Sequence, residues 1–202
     1  MLLMLSLIAC LTDEWTEPKA APPVVPGEPV VGAAEGFLKL PIGTPLSGFT
    51  ARCSCLGNQG KQDFRESPYL TAFTPSTGVQ TYPTIKVIWV ENGDDHLVLT
   101  KTDNIYSYDG LVEDLEAKIG ELTGLDLDGK VTHSTNHTHS SFGTFSDQVP
   151  FYLGSDKFNR ENFERMSMQI AEVAFEAYET REAAKIGVSW TRDWDPNNAV
   201  YS

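Results

Sequence analysis

The chain has 202 residues, 41% of them hydrophobic, enough for one domain with a real core and room for a tail. Its formal net charge is −13 and its isoelectric point about 4.6. Such a surface repels phosphate backbones and anionic headgroups, so nucleic acid is excluded as a partner and the acidity serves solubility.

Met1 to Ala9 is apolar but too short to span a bilayer. It ends Leu7-Ile8-Ala9-Cys10, and small residues before Cys resemble a bacterial lipoprotein box. That pattern implies a signal over residues 1–10, cleavage before Cys10 and lipidation of the Cys10 thiol. The product would sit at the bacterial cell envelope, anchored to the membrane by lipid, or be secreted. No Lys or Arg precedes the apolar run, which departs from an ordinary signal. The alternative is a disordered or buried N-terminus. Residues 11–29 carry Pro18, Pro22, Pro23, Pro26 and Pro29 and read as an extended tether.

The domain is expected over residues 30–202. Val30 to Phe37 opens it as a strand, and Pro41, Gly43, Pro45 and Gly48 punctuate the loop that follows. Ala51 to Thr81 is polar and turn-rich. Within it Cys53-Ser54-Cys55 is a close pair. A disulfide across one residue is strained, and two thiolates do not complete a zinc site. The pair is therefore a plain loop feature, or a redox-labile or metal-associated one.

Thr84 to Glu91 alternates as a strand, Asn92-Gly93 makes a tight turn, and His96 to Thr102 returns. His96, beside that turn, reads as a surface residue. Asp103 stands at the strand end, where a carboxylate can orient a metal-ligating His or cap a turn. Leu111, Leu115, Ile119 and Leu122 recur at helical spacing, and Gly124 sits just past the end. Asp126 and Asp128 lack the rest of a calcium loop and read as a solvated turn. A further strand follows, and strand, helix, strand in this order implies a crossover and an α/β fold with a mixed sheet.

That last strand leads into Thr132 to Gly143, which holds His133, His137 and His139, three of the four histidines of the chain. In an extended segment His137 and His139 face one side. Two imidazoles there can hold a transition metal, most often zinc, or divide the work between metal binding and proton transfer. His133 shares the parity but lies further back. Asn136-His137-Thr138 also spells a glycosylation sequon, discounted because a glycan would block the pair. Beyond Gly143 come Phe145, Phe151 and Tyr152, then a long amphipathic helix over Glu161 to Arg181 and a strand over Ala184 to Trp190.

His137-Thr138-His139-Ser140 resembles the Thr-His-Thr-His-Ser-Gly-Pro-Gly signature of the neutral/alkaline non-lysosomal ceramidases. Phe158-Asn159-Arg160-Glu161-Asn162-Phe163-Glu164 resembles the Phe-Asn-x-x-Asn-Phe run that opens the next helix of that family. The match extends from Val30 to Ala199 and is best from Leu97 to Tyr178. Ser141-Phe142 stands where the family has Gly-Pro, and Asn136 where it has Thr. The resemblance implies the amino-terminal portion of a larger layered αβ hydrolase domain. It implies a zinc amidohydrolase acting on the N-acyl amide bond of ceramide or a related lipid. His137 is then a zinc ligand, His139 the catalytic group that handles protons, and Asp103 the counterpart of the family's strand-end Asp. Family ligands from later segments (a His, a Glu and a Tyr) have no counterpart here, so the chain reads as truncated. The alternative from a different class is a catalytically inactive lipoprotein domain that binds lipid or a protein partner. A barrel amidohydrolase also opens with His-x-His, but the chain lacks the eight βα units it needs.

Overall fold

The computed structural model describes residues 27–48, 53 and 65–187. The Cys10 lipidation site, the signal and nearly all of the tether lie outside them. The described residues form a five-stranded mixed sheet with three helices, an α/β arrangement. None of the helices is long and apolar enough to cross a membrane.

The strands are β1 (Val30–Phe37), β2 (Thr84–Asn92), β3 (Asp95–Thr102), β4 (Val131–Thr135) and β5 (Glu182–Ala183). Their order is β4-β3-β2-β1-β5. β2 and β3 form an antiparallel hairpin in which Asn92 pairs with Asp95, so the turn centres on Gly93-Asp94, one residue later than the Asn-Gly dipeptide suggests. Gly93 adopts φ 63°, a conformation glycine takes without a Cβ clash.

β4 runs parallel to β3, which requires a crossover, and helix α1 (Asp109–Thr123) provides it. Leu111, Leu115 and Ile119 are buried on its inner side, whereas Leu122 is exposed. Gly124 ends the helix in the left-handed region, its N–H donating to the Gly120 carbonyl. The long helix α3 (Arg160–Glu179) is capped by Asn159, whose side chain accepts from the Asn162 N–H. A short helix, α2 (Val149–Ser155), with Pro150 in its first turn, lies between β4 and α3 and was not expected from the sequence.

Both long helices cover one face of the sheet: α3 lies on β1, β2 and β3, and α1 on β4 and α3. Alternation on β2 sends Ile85, Val87 and Trp89 into that layer, where they meet Val98 of β3 and Met166, Ile170 and Ala174 of α3. β1 contributes glycines. A Cβ on Gly32 would collide with the Ala177 carbonyl of α3, and one on Gly36 would meet Val173 Cγ2. Small residues on β1 thus let α3 sit close to the sheet. His96 is half-buried rather than on the surface, edge-on to Trp89 at 5.8 Å between centroids. The strand expected over Ala184 to Trp190 is absent from residues 184–187, and the remainder lies outside the described residues. A two-residue pairing with β1 at Glu182–Ala183 takes its place.

The close contact of β1 and α3 predicts that Gly32→Ala destabilises the fold by about 1–3 kcal/mol through overpacking. Gly78→Ala, with nothing within 4 Å of its added methyl, is expected to stay within ~0.5 kcal/mol of the parent. Urea unfolding of the two variants beside the parent checks the pair.

Candidate active site

The histidine segment begins where β4 stops. β4 ends at Thr135, and His137 has φ 56°, in the left-handed region. Strand alternation therefore does not continue to His137 and His139, as an extended segment would have it. The two rings still come together, 5.1 Å apart between centroids and edge-to-face, because the chain turns between them. His137 is exposed and His139 half-buried.

His137 Nδ1 lies 2.7 Å from the Ile105 carbonyl. A carbonyl only accepts, so Nδ1 carries the proton and Nε2 keeps its lone pair. His139 is held differently. A Cβ on Gly48 would lie 2.5 Å from His139 Nδ1 and 2.6 Å from its Cγ, so the Gly48 backbone forms the wall against that edge of the ring. Gly48 has φ 100°, a second reason for glycine at this place.

His133 is not part of the pair. Its Nε2 is 2.9 Å from Thr102 Oγ1 and its Nδ1 2.9 Å from Ser107 Oγ. Both ring nitrogens are engaged, and burial pushes its pKa down to about 4. Asp103 contacts neither His137 nor His139 through its hydrogen bonds. Its carboxylate accepts from the Thr84 N–H at 2.7 Å, the Thr84 hydroxyl at 2.6 Å, Lys101 Nζ and, at 2.7 Å, Asn136 Nδ2. Burial disfavours its ionised form, but the bonds from Lys101 and Thr84 outweigh that and hold the carboxyl below its usual range. Asp103 thus braces the residue before His137, while the Ile105 carbonyl orients the ring itself.

Residues other than the histidines build the walls. Asn162, buried in the first turn of α3, donates through Nδ2 to Thr144 Oγ1 at 3.0 Å and Thr44 Oγ1 at 3.3 Å. It joins the helix to the loop after the histidines and to the loop after β1. Ser141 Oγ donates to Asn104 Oδ1 at 2.7 Å. Asp156, buried and at φ 64°, accepts from the backbone N–H groups of Thr71, Ala72, Phe73 and Lys157. Asx residues with positive φ have no hydropathy signature, and the one sequence signal was the Asn-x-x-Asn spacing at Asn159 and Asn162. Beside Ser140 opens a cleft of about 270 Å³, lined by Leu46, Val79, Pro83, Phe142 and several uncharged polar residues. Cys53 belongs to a disulfide whose other half lies outside the described residues, so it is not a thiolate available to metal.

No protein-family model and no curated protein matches the chain. Solved structures do. The neutral ceramidase from Pseudomonas aeruginosa matches with a TM-score of 0.61 and 15% identity, over 79% of this chain and 23% of that one. A ceramidase complexed with C2 matches with a TM-score of 0.60 and 15% identity, over 78% of this chain and 22% of that one. The chain thus shares the fold of a part of these enzymes and spans under a quarter of their length.

As to metal, the donor type and the Nε2 lone pair of His137 suit zinc. Among the described residues no group of three or more His, Cys, Asp or Glu side chains converges to hold an ion. The pair therefore fits as part of a coordination shell, not as a whole one.

The depressed pKa of His133 fixes a pH dependence. The unfolded imidazole titrates near 6.5 and the folded one near 4. As pH falls the unfolded chain takes up this proton first, so the contribution is full above about 6.5 and is lost between 6.5 and 4. Its size is at most about 3 kcal/mol. The stability difference between the parent and His133→Gln, from urea midpoints at pH 7.5, 5.5 and 4, is expected to move against the parent as pH falls.

Proposed function

We propose that this chain carries part of the metal and proton-transfer site of a ceramidase-like zinc amidohydrolase, acting on the N-acyl amide of ceramide or a related lipid. The observation that carries the reading is the His137–His139 pair, with His137 Nδ1–H fixed on the Ile105 carbonyl and Nε2 left to ligate. A carbonyl partner on the far nitrogen is the usual support of a metal-bound imidazole. The fold shared with a part of neutral ceramidase supports the substrate class.

In this reading His137 holds zinc through Nε2. When bound, the metal supplies Lewis acidity, polarising the amide carbonyl and acidifying water. His139 exchanges protons through the ring edge turned away from Gly48, taking one from the attacking water and handing one to the leaving amine nitrogen. The described residues that line the cleft beside Ser140 are uncharged, and Leu46, Val79, Pro83 and Phe142 among them offer an acyl chain an apolar bed. A catalytic zinc site commonly uses three protein ligands. With His137 the one ligand assigned here, the reading therefore requires further ligands beyond it.

Zinc titration of the 202-residue chain, followed through its imidazole NMR signals, tests this. Signals of His137 and His139 are expected to move and those of His133 to stay, with weak affinity that His137→Ala abolishes. A response centred on His133 or His96, or no response, overturns the zinc assignment. In protein that turns over a short-chain fluorescent ceramide, His139→Ala is expected to keep the metal and lose about 10²–10⁴-fold in kcat. Metal binding with no turnover and retained lipid binding favours the alternative, an inactive domain that binds lipid or a partner.

A further inference from the structure

His133 and Ser107 have no part in the chemistry proposed above, yet their placement bears on it. Thr102 is the last residue of β3, and Ser107 lies near the end of the connection from β3 to α1. The His133 ring bonds both, with Nε2 2.9 Å from Thr102 Oγ1 and Nδ1 2.9 Å from Ser107 Oγ. It therefore staples the two ends of a short arch. At the middle of that arch the Ile105 carbonyl receives Nδ1–H of His137.

The arch has other anchors. Asp103 is tied to Thr84, Asn104 to Ser141, and Tyr106 stacks on Phe145 and Phe151 at 4.7 and 4.1 Å between centroids. These hold the flanks. Ser107 is the polar anchor that follows Ile105 most closely on the C-terminal side, and His133 is its side-chain partner. The direction in which the Ile105 carbonyl points depends on the peptide planes around it. Where that carbonyl points decides which nitrogen of His137 carries the proton.

We propose that the Ser107–His133 hydrogen bond is a positioning device that sets His137 in its Nδ1–H tautomer. Thr102 completes the device by engaging the second nitrogen of His133, so the ring cannot turn over without breaking both bonds. His133 is then neither a ligand nor a catalytic residue. It acts through Ser107 and the Ile105 carbonyl on the lone pair that His137 presents. The inference rests on the reading above for its use, since that lone pair is the one assigned to zinc, but its measurement needs no metal.

Long-range ¹H–¹⁵N NMR of the imidazoles in the intact, metal-free chain at pH 8, where free imidazoles are neutral, reads the tautomer directly. In the parent, His137 is expected to be protonated at Nδ1 and bare at Nε2. In Ser107→Ala the ratio of the Nδ1–H to the Nε2–H form is expected to fall about 5-fold, the effect of losing one ordinary hydrogen bond. Ser107→Thr, which keeps the hydroxyl, is expected to restore it, and His133→Gln is expected to follow Ser107→Ala. A merely structural bond would lower the urea midpoint in these variants and leave the tautomer ratio alone, and that result overturns the proposal. So does a parent in which His137 is mostly the Nε2–H form. If His133→Gln does not fold, Ser107→Ala and Ser107→Thr decide. Failure of zinc binding with the tautomer response intact counts against the function and not against the positioning, and the converse result counts the other way.

Discussion

Residues 103–108 have almost no freedom, and the site exists because of that. Asp103 is fixed by Thr84 and Lys101, and Asn104 is buried between Ser141 and Met166 Sδ. Tyr106 is stacked between two phenylalanines, and Tyr108 donates to the Phe145 carbonyl at 2.9 Å before opening α1. Burial raises the pKa of both tyrosines above its ordinary value. The side chains of Asp103, Asn104, Ser107 and Tyr108 meet partners from different parts of the chain, as polar groups leaving a buried strand end must. The Ile105 carbonyl is thereby held where an exposed imidazole can lean on it.

The same demand explains the loops around the pair. Thr144 and Asp156 both adopt positive φ, which costs a non-glycine residue of order 1 kcal/mol. Thr144 gains the Ser155 carbonyl for its N–H and Asn162 for its hydroxyl. Asp156 gains several backbone N–H groups for one carboxylate. Charge-assisted bonds of this kind are stronger than neutral ones and outweigh the strain. They also fasten the segment at 71–73 to the region after α2, which settles where the cleft wall at 76–83 begins.

Much of the fold was legible because it follows local rules. β1, β2, β3 and both long helices follow from hydrophobic period, and the crossover from their order. Gly124 and Asn159 mark helix ends by their own chemistry. The histidine pair was legible by composition, since His is scarce elsewhere. Its geometry was not: alternation predicts a strand through His139, whereas the chain turns at His137, held by bonds to Ile105 and Asp103 and by local bonds from the Thr138 and Ser140 N–H groups. α2 was missed because Pro150, Gly154 and its half-exposed aromatics obscure any helical period. His96 read as a surface residue because its neighbour in sequence is a turn, whereas its neighbour in space is Trp89. The resemblance to ceramidases pointed to His137 and His139, but not to Ser107, which bonds His133, or to Gly48, which walls the His139 ring.

The two imidazoles are also unequal. One has its Nδ1 proton committed to a fixed carbonyl, and the other has its Nδ1 edge set against the Gly48 backbone. A ligand engaging both rings would therefore meet two unequal edges. A hydrogen bond holds one ring and a glycine wall holds the edge of the other, so the two rings are not interchangeable. That asymmetry depends on Ile105 and Gly48, neighbours in space that lie outside the histidine motif.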